Sequence, residues 1–306
     1  VFTAEDIPAE RFTGLIIPDW PLMVREGETT RYLGDILAGV VAETEKQARE
    51  ALNSINVEYE ILTPVTDPSE ALSGQTPKIH ESGNLLSTTE IQRGDCIKAE
   101  KESEYVTKGI YKTQRIEHAF MELECCVAKP RKDGVEVFSQ GQGVYEDRNS
   151  ISKILGIPLE NVVVSLMPNG GAFGGKEDIS VQGHASLFAH LLQLPVRVAL
   201  TRPESLLMHP KRHPMTMDIS MGCGKNGKLT FIKADIIGDT GAYASVGMKV
   251  LERAAGHATS VYTIPSVEIL SRAVYTNNVP CGAMRGFGVN QINFAVESCI
   301  DELCEL

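Results

Sequence analysis

The clearest hydrophobic pattern lies near the front of the chain. Residues 35–43 (DILAGVVAE) form a nearly continuous apolar run, which predicts a buried strand. Thr44-Glu45-Lys46-Gln47 then has the form of a capping box and predicts a helix through about Leu52. Asn56–Leu62 alternates apolar and polar residues, as a half-buried strand does. This β-α-β piece, residues 1–72, is expected to be a small first domain. Residues 73–104 are polar, with Gly, Pro and Ser and little periodicity, and read as a linker.

The remainder, residues 105–306, is expected to be a larger second domain. Its pattern predicts a strand at 134–139, a helix at 147–155, a strand at 161–167, a helix at 178–193 and a strand at 196–200. Strands then dominate from Thr216 to Asn277, with turn signals at Lys225-Asn226-Gly227 and Ile264-Pro265. Ile292, Ala295, Val296, Cys299, Ile300, Leu303 and Leu306 recur at helical spacing up to the last residue, with no stop signal. No period of 20–50 residues repeats. The fold class expected is α+β in two domains, and the missing initiator Met and unfinished last helix make the chain read as a piece of something longer.

Composition narrows the function classes. Lys and Arg number 29 against 40 Asp and Glu, giving −11, which disfavours a general nucleic-acid or anionic-membrane binder. No apolar run approaches the roughly 20 residues that span a bilayer. Seven cysteines without a CxxC pair exclude a zinc ribbon or CxxC-type iron–sulfur frame and suit a reducing, cytoplasmic compartment.

Glycine clusters carry the candidate chemistry. Asn169-Gly170-Gly171-Ala172-Phe173-Gly174-Gly175-Lys176-Glu177-Asp178 nearly matches a phosphate-cradling loop. Glu177 stands where Ser or Thr should ligate magnesium, and a carboxylate there repels phosphates, so a P-loop nucleotide-binding protein is only an alternative. The bare backbone, with amides expected at a helix start, favours a ligand over a simple turn. Gly222-Cys223-Gly224-Lys225-Asn226-Gly227 matches a dinucleotide fingerprint literally, but its strand neighbours make it an Asn-Gly hairpin. Ala283-Met284-Arg285-Gly286-Phe287-Gly288 could present a guanidinium and a ring, and Gln140-Gly141-Gln142-Gly143 is a weaker third cluster. The basic run Lys211-Arg212-His213-Pro214 reads as a solvated loop or subunit contact, and His118 as a core histidine. His184 and His190, six apart on one helix, cannot chelate one ion.

Together, GGAFGGKED, KRHPMTM, GDTGAYAS (Gly238–Ser245), LERA (Leu251–Ala254) and AMRGFG resemble, in order, the molybdenum-binding subunit of the xanthine dehydrogenase/aldehyde oxidase family. The resemblance implies a partial α/β hammerhead domain at 1–72, followed by the first half of a molybdopterin-binding region. It implies cofactor contacts from Gln142, Gly171, Ala172, Phe173, Gly174, Arg285 and Gly286. Glu177 and Arg253 would be catalytic and orient substrate, Phe287 would stack on it, and no protein side chain would ligate the metal.

The implied reaction hydroxylates an N-heterocycle of xanthine or purine type, with water as the oxygen source. The implied cofactor is molybdenum–molybdopterin, the cytosine dinucleotide form among its versions, with Fe–S and FAD on partner subunits or domains. Ile116 replaces the Gln that xanthine enzymes carry just before Glu117-His118, a departure that fits selenium-dependent purine or nicotinate hydroxylases. The family's general base belongs to a C-terminal region not found here, so the chain alone is expected to be inactive. A continuing segment or second molybdopterin subunit would complete it. From a different class, a non-catalytic assembly or binding module would keep the fold without the metal.

Overall fold

A computed structural model describes all 306 residues, which form two compact units. The first comprises Val1–Pro64 and His118–Pro210; the second comprises Val65–Glu117 and Lys211–Leu306.

In the first unit, four strands line up in the order Val196–Ala199, Cys125–Arg131, Gly134–Ser139, Val162–Leu166. The last two are parallel, with Val135 opposite Val162, and the helix Val144–Leu155 connects them. That helix and Gln182–Leu192 bury Ile151, Ile154, Leu187 and Phe188 against Ala128, Val135 and Val137 of the sheet. A parallel strand pair leaves its connecting loops at the carboxyl ends of the strands, the usual ligand position in such sheets. Both glycine-rich loops, 140–143 and 167–177, leave from that end.

The capping box forms: Thr44 Oγ1 accepts from the Gln47 amide at 3.3 Å, Gln47 Oε1 accepts from the Thr44 amide at 3.1 Å, and the helix runs Glu45–Leu52. Two expectations nearby are corrected. The run 35–43 yields only the short strand Ala38–Gly39, paired with Phe2–Thr3. Asn56–Leu62 forms no strand, because no neighbouring strand pairs with it; Tyr59 is 64% and Ile61 93% exposed.

The second unit is built on a five-stranded sheet in the order Leu85–Arg93, Ser266–Tyr275, Leu229–Gly241, Met215–Cys223, Tyr105–Thr113. Leu229–Gly241 and Ser266–Tyr275 run parallel, joined through the helix Gly247–Gly256. The stretch 73–104, expected as a linker, contains one edge strand of this sheet and the helix Cys96–Glu102, capped by Asp95. One face of the edge strand is exposed, which explains its polar, weakly periodic sequence. The chain turns at Gly227 (φ +73°), and Gly224 exchanges hydrogen bonds with Lys228 and Gly227. The apparent dinucleotide fingerprint is therefore a hairpin.

Asp239 of the GDTGAY segment anchors this unit. Its Oδ1 accepts from the Gly241 amide (2.8 Å) and the Thr276 hydroxyl (2.6 Å), and its Oδ2 from Arg115 Nη2 (2.6 Å) and Asn278 Nδ2 (2.8 Å). Arg115 also donates to the Val279 carbonyl. A 4% exposed carboxylate with four donors is fully compensated, but truncating it strands all four. Asp239→Ala is expected to cost about 3–5 kcal/mol, as loss of one member of a buried pair does, measured from urea unfolding midpoints of the two chains.

Candidate functional site

In the first unit the 167–177 loop is held from behind by the 140–143 loop. Gln142 Oε1 accepts from the amides of Gly174 (2.9 Å) and Lys176 (3.3 Å), while the Gln142 amide donates to the Lys176 carbonyl (2.8 Å). Asn169 Oδ1 and Glu122 Oε2 take the amides of Gly171 (3.0 Å) and Gly170 (2.9 Å), and the latter bond holds the Glu122 carboxyl below its usual range. With the loop pinned at these points, Phe173 adopts φ +55° and projects outward, 46% exposed. A bulky residue in the left-handed region costs about 1–3 kcal/mol and persists only where its surroundings impose it. The bend does not open a helix as expected: the Gln182–Leu192 helix begins seven residues after Gly175.

Lys176 rules out the phosphate-loop alternative in this structure. It is 4% exposed, with Nζ donating to the Glu122 carbonyl at 2.6 Å and lying 4.4 Å from the Phe120 ring centre. The ammonium that would face a nucleotide is turned into the protein instead.

Glu177 is half-buried, and desolvation raises its carboxyl above the usual range. It lines a recess with Trp20, Glu146, Asp147 and Asp178. Asp147, which no sequence motif marks, is 2% exposed, and burial pushes it up to about 6 despite the Ser139 hydroxyl donating to it at 2.8 Å. In sequence it is an ordinary first-turn carboxylate, and only its position behind Ser139 sets it apart. Gln140 has a buried amide oxygen without a hydrogen-bond partner, a second acceptor that its sequence neighbours do not single out.

In the second unit, AMRGFG forms another bend with a phenylalanine between glycines. Gly286, Phe287 and Gly288 take φ +98°, +47° and +93° in succession. A Cβ on Gly288 would lie 2.3 Å from the Val250 carbonyl oxygen, so only glycine fits against the Gly247–Gly256 helix. From that same helix, exposed Arg253 places its guanidinium 5.3 Å from the Phe287 ring centre, a cation–π contact. The Arg285 carbonyl accepts from Arg212 Nη2 (2.9 Å) and Asn290 Nδ2 (3.1 Å), while the Arg285 side chain is exposed.

The segment Lys211-Arg212-His213 is buried throughout, which corrects its reading as a solvated loop. Lys211 pairs with Glu117 at 2.6 Å, and His213, 1% exposed, is held down at about 3 by burial and offers no charge to a ligand. His118 is a core histidine as expected, packed by Phe120 and His209. His184 lies between the Ser180 and Leu22 carbonyls rather than facing a metal. Ile116 is half-buried and takes part in a backbone bridge to Arg212.

Gln142, Gly171, Ala172, Phe173, Gly174 and Glu177 thus belong to the first unit, and Arg253, Arg285, Gly286 and Phe287 to the second. Each set is gathered around one glycine–phenylalanine bend. The same chain matches two family models: "Aldehyde oxidase and xanthine dehydrogenase, a/b hammerhead domain" over residues 1–63 and "Molybdopterin cofactor-binding domain" over 79–306. The chain belongs to the xanthine dehydrogenase/aldehyde oxidase family.

Among relatives in that family, a probable xanthine dehydrogenase subunit of Bacillus subtilis is 38% identical over 304 residues, covering 99% of this chain and 40% of that protein. The nicotinate dehydrogenase large molybdopterin subunit of Eubacterium barkeri is 36% identical over 300 residues, covering 98% of this chain and 70% of that protein. The aldehyde oxidoreductase structure from Desulfovibrio gigas superposes with a TM-score of 0.94 at 26% identity, over 99% of this chain and 35% of that one. The chain therefore spans less than half the length of two of these three relatives. No helix in it is long and apolar enough to cross a membrane.

The Asp147 geometry generates a pH prediction. A carboxyl raised in the folded state favours folding while protonated, so its contribution is fully present below about pH 4 and is lost as pH rises through about 6. Asp147→Asn is expected to remove about 2–3 kcal/mol of the stability difference between pH 4 and pH 8, read from urea midpoints at both values. An unchanged pH dependence contradicts a buried, titrating Asp147.

Proposed function

We propose that this chain is the molybdopterin-holding part of an oxidoreductase that hydroxylates a planar N-heterocycle of purine type, with water as the oxygen source. The observation that carries the reading is the clamped bend in which Phe173, at φ +55°, stands 46% exposed on bare backbone. Strained backbone carrying an exposed ring on bare main chain is enriched at ligand sites.

The residues present suit a pterin. Pterin edges carry N–H donors, and Gln140, whose backbone carbonyl accepts from Asn169 Nδ2 of the 167–177 loop, has a buried amide oxygen without a partner. Gln142 has its amide oxygen occupied by the Gly174 and Lys176 amides, so its Nε2 is the atom left to meet the cofactor. Gly171, Ala172, Phe173 and Gly174 would hold the cofactor at the first bend, and the family resemblance gives Arg285 and Gly286 cofactor contacts as well. When bound, the group supplies two-electron redox chemistry at molybdenum. A cytosine dinucleotide form and Fe–S and FAD partners complete the proposal, in a cytoplasmic, multi-subunit assembly.

Substrate handling falls to side chains of this chain. Glu177, its carboxyl raised above the usual range by burial, orients the heterocycle. Arg253 stabilises negative charge that develops on the ring, and Phe287 provides a flat wall. No other carboxylate of the bends supplies the general base, so the 306-residue chain alone is proposed to be inactive until the rest of the molybdopterin region is present.

The test uses the chain co-expressed with its continuing segment and partners. Molybdenum and pterin content should be near stoichiometric, and Gly174→Val, which forces a branched side chain into φ +102°, should lower both about tenfold. Glu177→Gln should keep the cofactor and lose about 10²–10⁴-fold in heterocycle turnover. A preparation that folds yet carries neither metal nor pterin favours a non-catalytic module of the same fold.

A further inference from the structure

Behind the first bend, three buried side chains that the chemistry above does not use lie in a row within the first unit. Glu124 directly precedes the strand Cys125–Arg131; it is 3% exposed, and neither of its carboxylate oxygens accepts a hydrogen bond. His209, 1% exposed, ends the helix Arg202–Met208, with Nδ1 2.8 Å from the Ser205 carbonyl and 3.4 Å from Glu124 Oε1. Its Nε2 lies 3.4 Å from Nδ1 of His118, itself 7% exposed. The His118 ring rests on Gly175, where a Cβ would come within 2.9 Å of Nδ1, so the row reaches the main chain of the bend.

The order of these groups suits proton transfer. With one proton on Nδ1 toward Ser205, neutral His209 turns the lone pair of Nε2 to His118. A proton given by His118 Nδ1 makes His209 an imidazolium, which can release its Nδ1 proton; of the two acceptors there, only the carboxylate can take it. Glu124 is suited to both states. Protonated, it is a neutral group in a place that offers a charge no hydrogen-bond donor. Ionised, it has the Lys176 charge to offset it: burial weakens the hold of Lys176 on its proton, and the Glu124 charge works against that. Lys176 and Arg202 lie over the Phe120 ring, which packs on His209 with ring centres 4.9 Å apart. Glu117, next to His118 in the chain, is paired with Lys211. His209 also lines a recess with Tyr32, Asp178 and His184, a way onward for a proton.

We propose that His118, His209 and Glu124 form a proton relay serving the site at the first bend. The inference rests on the functional reading above. Hydroxylation with water, R–H + H2O → R–OH + 2 H+ + 2 e−, sends its electrons to the Fe–S partners and leaves two protons to be carried away. Each transfer balances: His118 takes a proton at one ring nitrogen and gives one from Nδ1 to His209 Nε2. His209 gives its Nδ1 proton to Glu124, which holds it until solvent in the recess beside His209 removes it. None of the three meets the substrate, so their loss slows turnover without weakening substrate or cofactor binding.

The test uses the co-expressed assembly, with xanthine and nicotinate as probe heterocycles. Glu124→Gln, which keeps size and polarity but cannot take the proton, should lower kcat about tenfold at unchanged KM and cofactor content. It should also displace the acidic limb of the kcat–pH profile by about one unit, and Glu124→Asp should recover most of the rate. A readout independent of turnover is hydrogen–deuterium exchange at the His209 ring carbon, followed against pH by mass spectrometry. Its midpoint should fall by about one unit in Glu124→Gln, because no carboxylate then favours the charged ring. If Glu124→Gln does not assemble, His118→Gln should give the same loss of rate and the same displacement of the profile. A parental rate and profile in these variants, or an unmoved His209 midpoint, overturns the relay. So does a loss of metal and pterin that matches the loss of rate, the mark of a merely structural carboxylate. A parent assembly that shows the His209 coupling but holds neither molybdenum nor pterin overturns the functional reading instead.

Discussion

Two phenylalanines are held in a backbone conformation they would not choose. Phe173 and Phe287 both lie in the left-handed region, Phe173 just before Gly174 and two residues after Gly171, Phe287 between Gly286 and Gly288, and all four glycines also have positive φ. Each placement costs about 1–3 kcal/mol, so the surrounding bonds must outweigh it. Around Phe173 that work falls to Gln142, whose one side-chain oxygen takes two loop amides, and to Lys176, whose side chain is drawn inward over Phe120. Around Phe287 it falls to Arg212 and Asn290, which share the Arg285 carbonyl, and to the Val250 carbonyl that leaves room only for glycine. The two solutions use different chemistry to reach the same local result: an aromatic ring set on bare main chain.

Much of this is legible in the sequence where a local rule acts alone. Gly134–Ser139 is delimited by its pattern, the Thr44 box by its side-chain types, and the 222–227 hairpin by its Asn-Gly turn, because each is decided by residues adjacent in sequence. Leu85–Arg93 is not, since it is an edge strand whose sequence, LLSTTEIQR, reflects one half-exposed face and a partner, Ser266–Tyr275, that lies far along the chain. Val57, Tyr59 and Ile61 mislead in the other direction: alternation predicts a strand, but a strand also needs a neighbour.

The site is legible in residue types and much less so in environment. Glu177, Arg253, Phe173 and Phe287 can be named from motifs, yet nothing in GGAFGGKED announces that Phe173 turns outward while Lys176 turns inward. The basic run 211–213 deceives because charge in sequence suggests solvent. Here Lys211 has Glu117, His213 is kept neutral by burial, and Arg212 is retained for what it holds. Asp147 stays hidden for the converse reason: a first-turn carboxylate is so ordinary that its burial behind Ser139 is invisible until the sheet is assembled.

Lys176 and Arg253 show how one kind of charge is put to two uses. Both follow a glycine-rich or helical motif that invites a functional reading. Lys176 is satisfied by a carbonyl at 2.6 Å and a ring beneath it, with burial lowering its tendency to hold a proton, so its charge is consumed in shaping the loop. Arg253 keeps its guanidinium at the surface with only an aromatic face against it, and no carboxylate claims it. A ligand can therefore gain from Arg253 what the fold has already taken from Lys176. The near-match to a phosphate loop fails for this reason: the spacing of glycines is shared, but the cation that defines such a loop has been assigned to the interior.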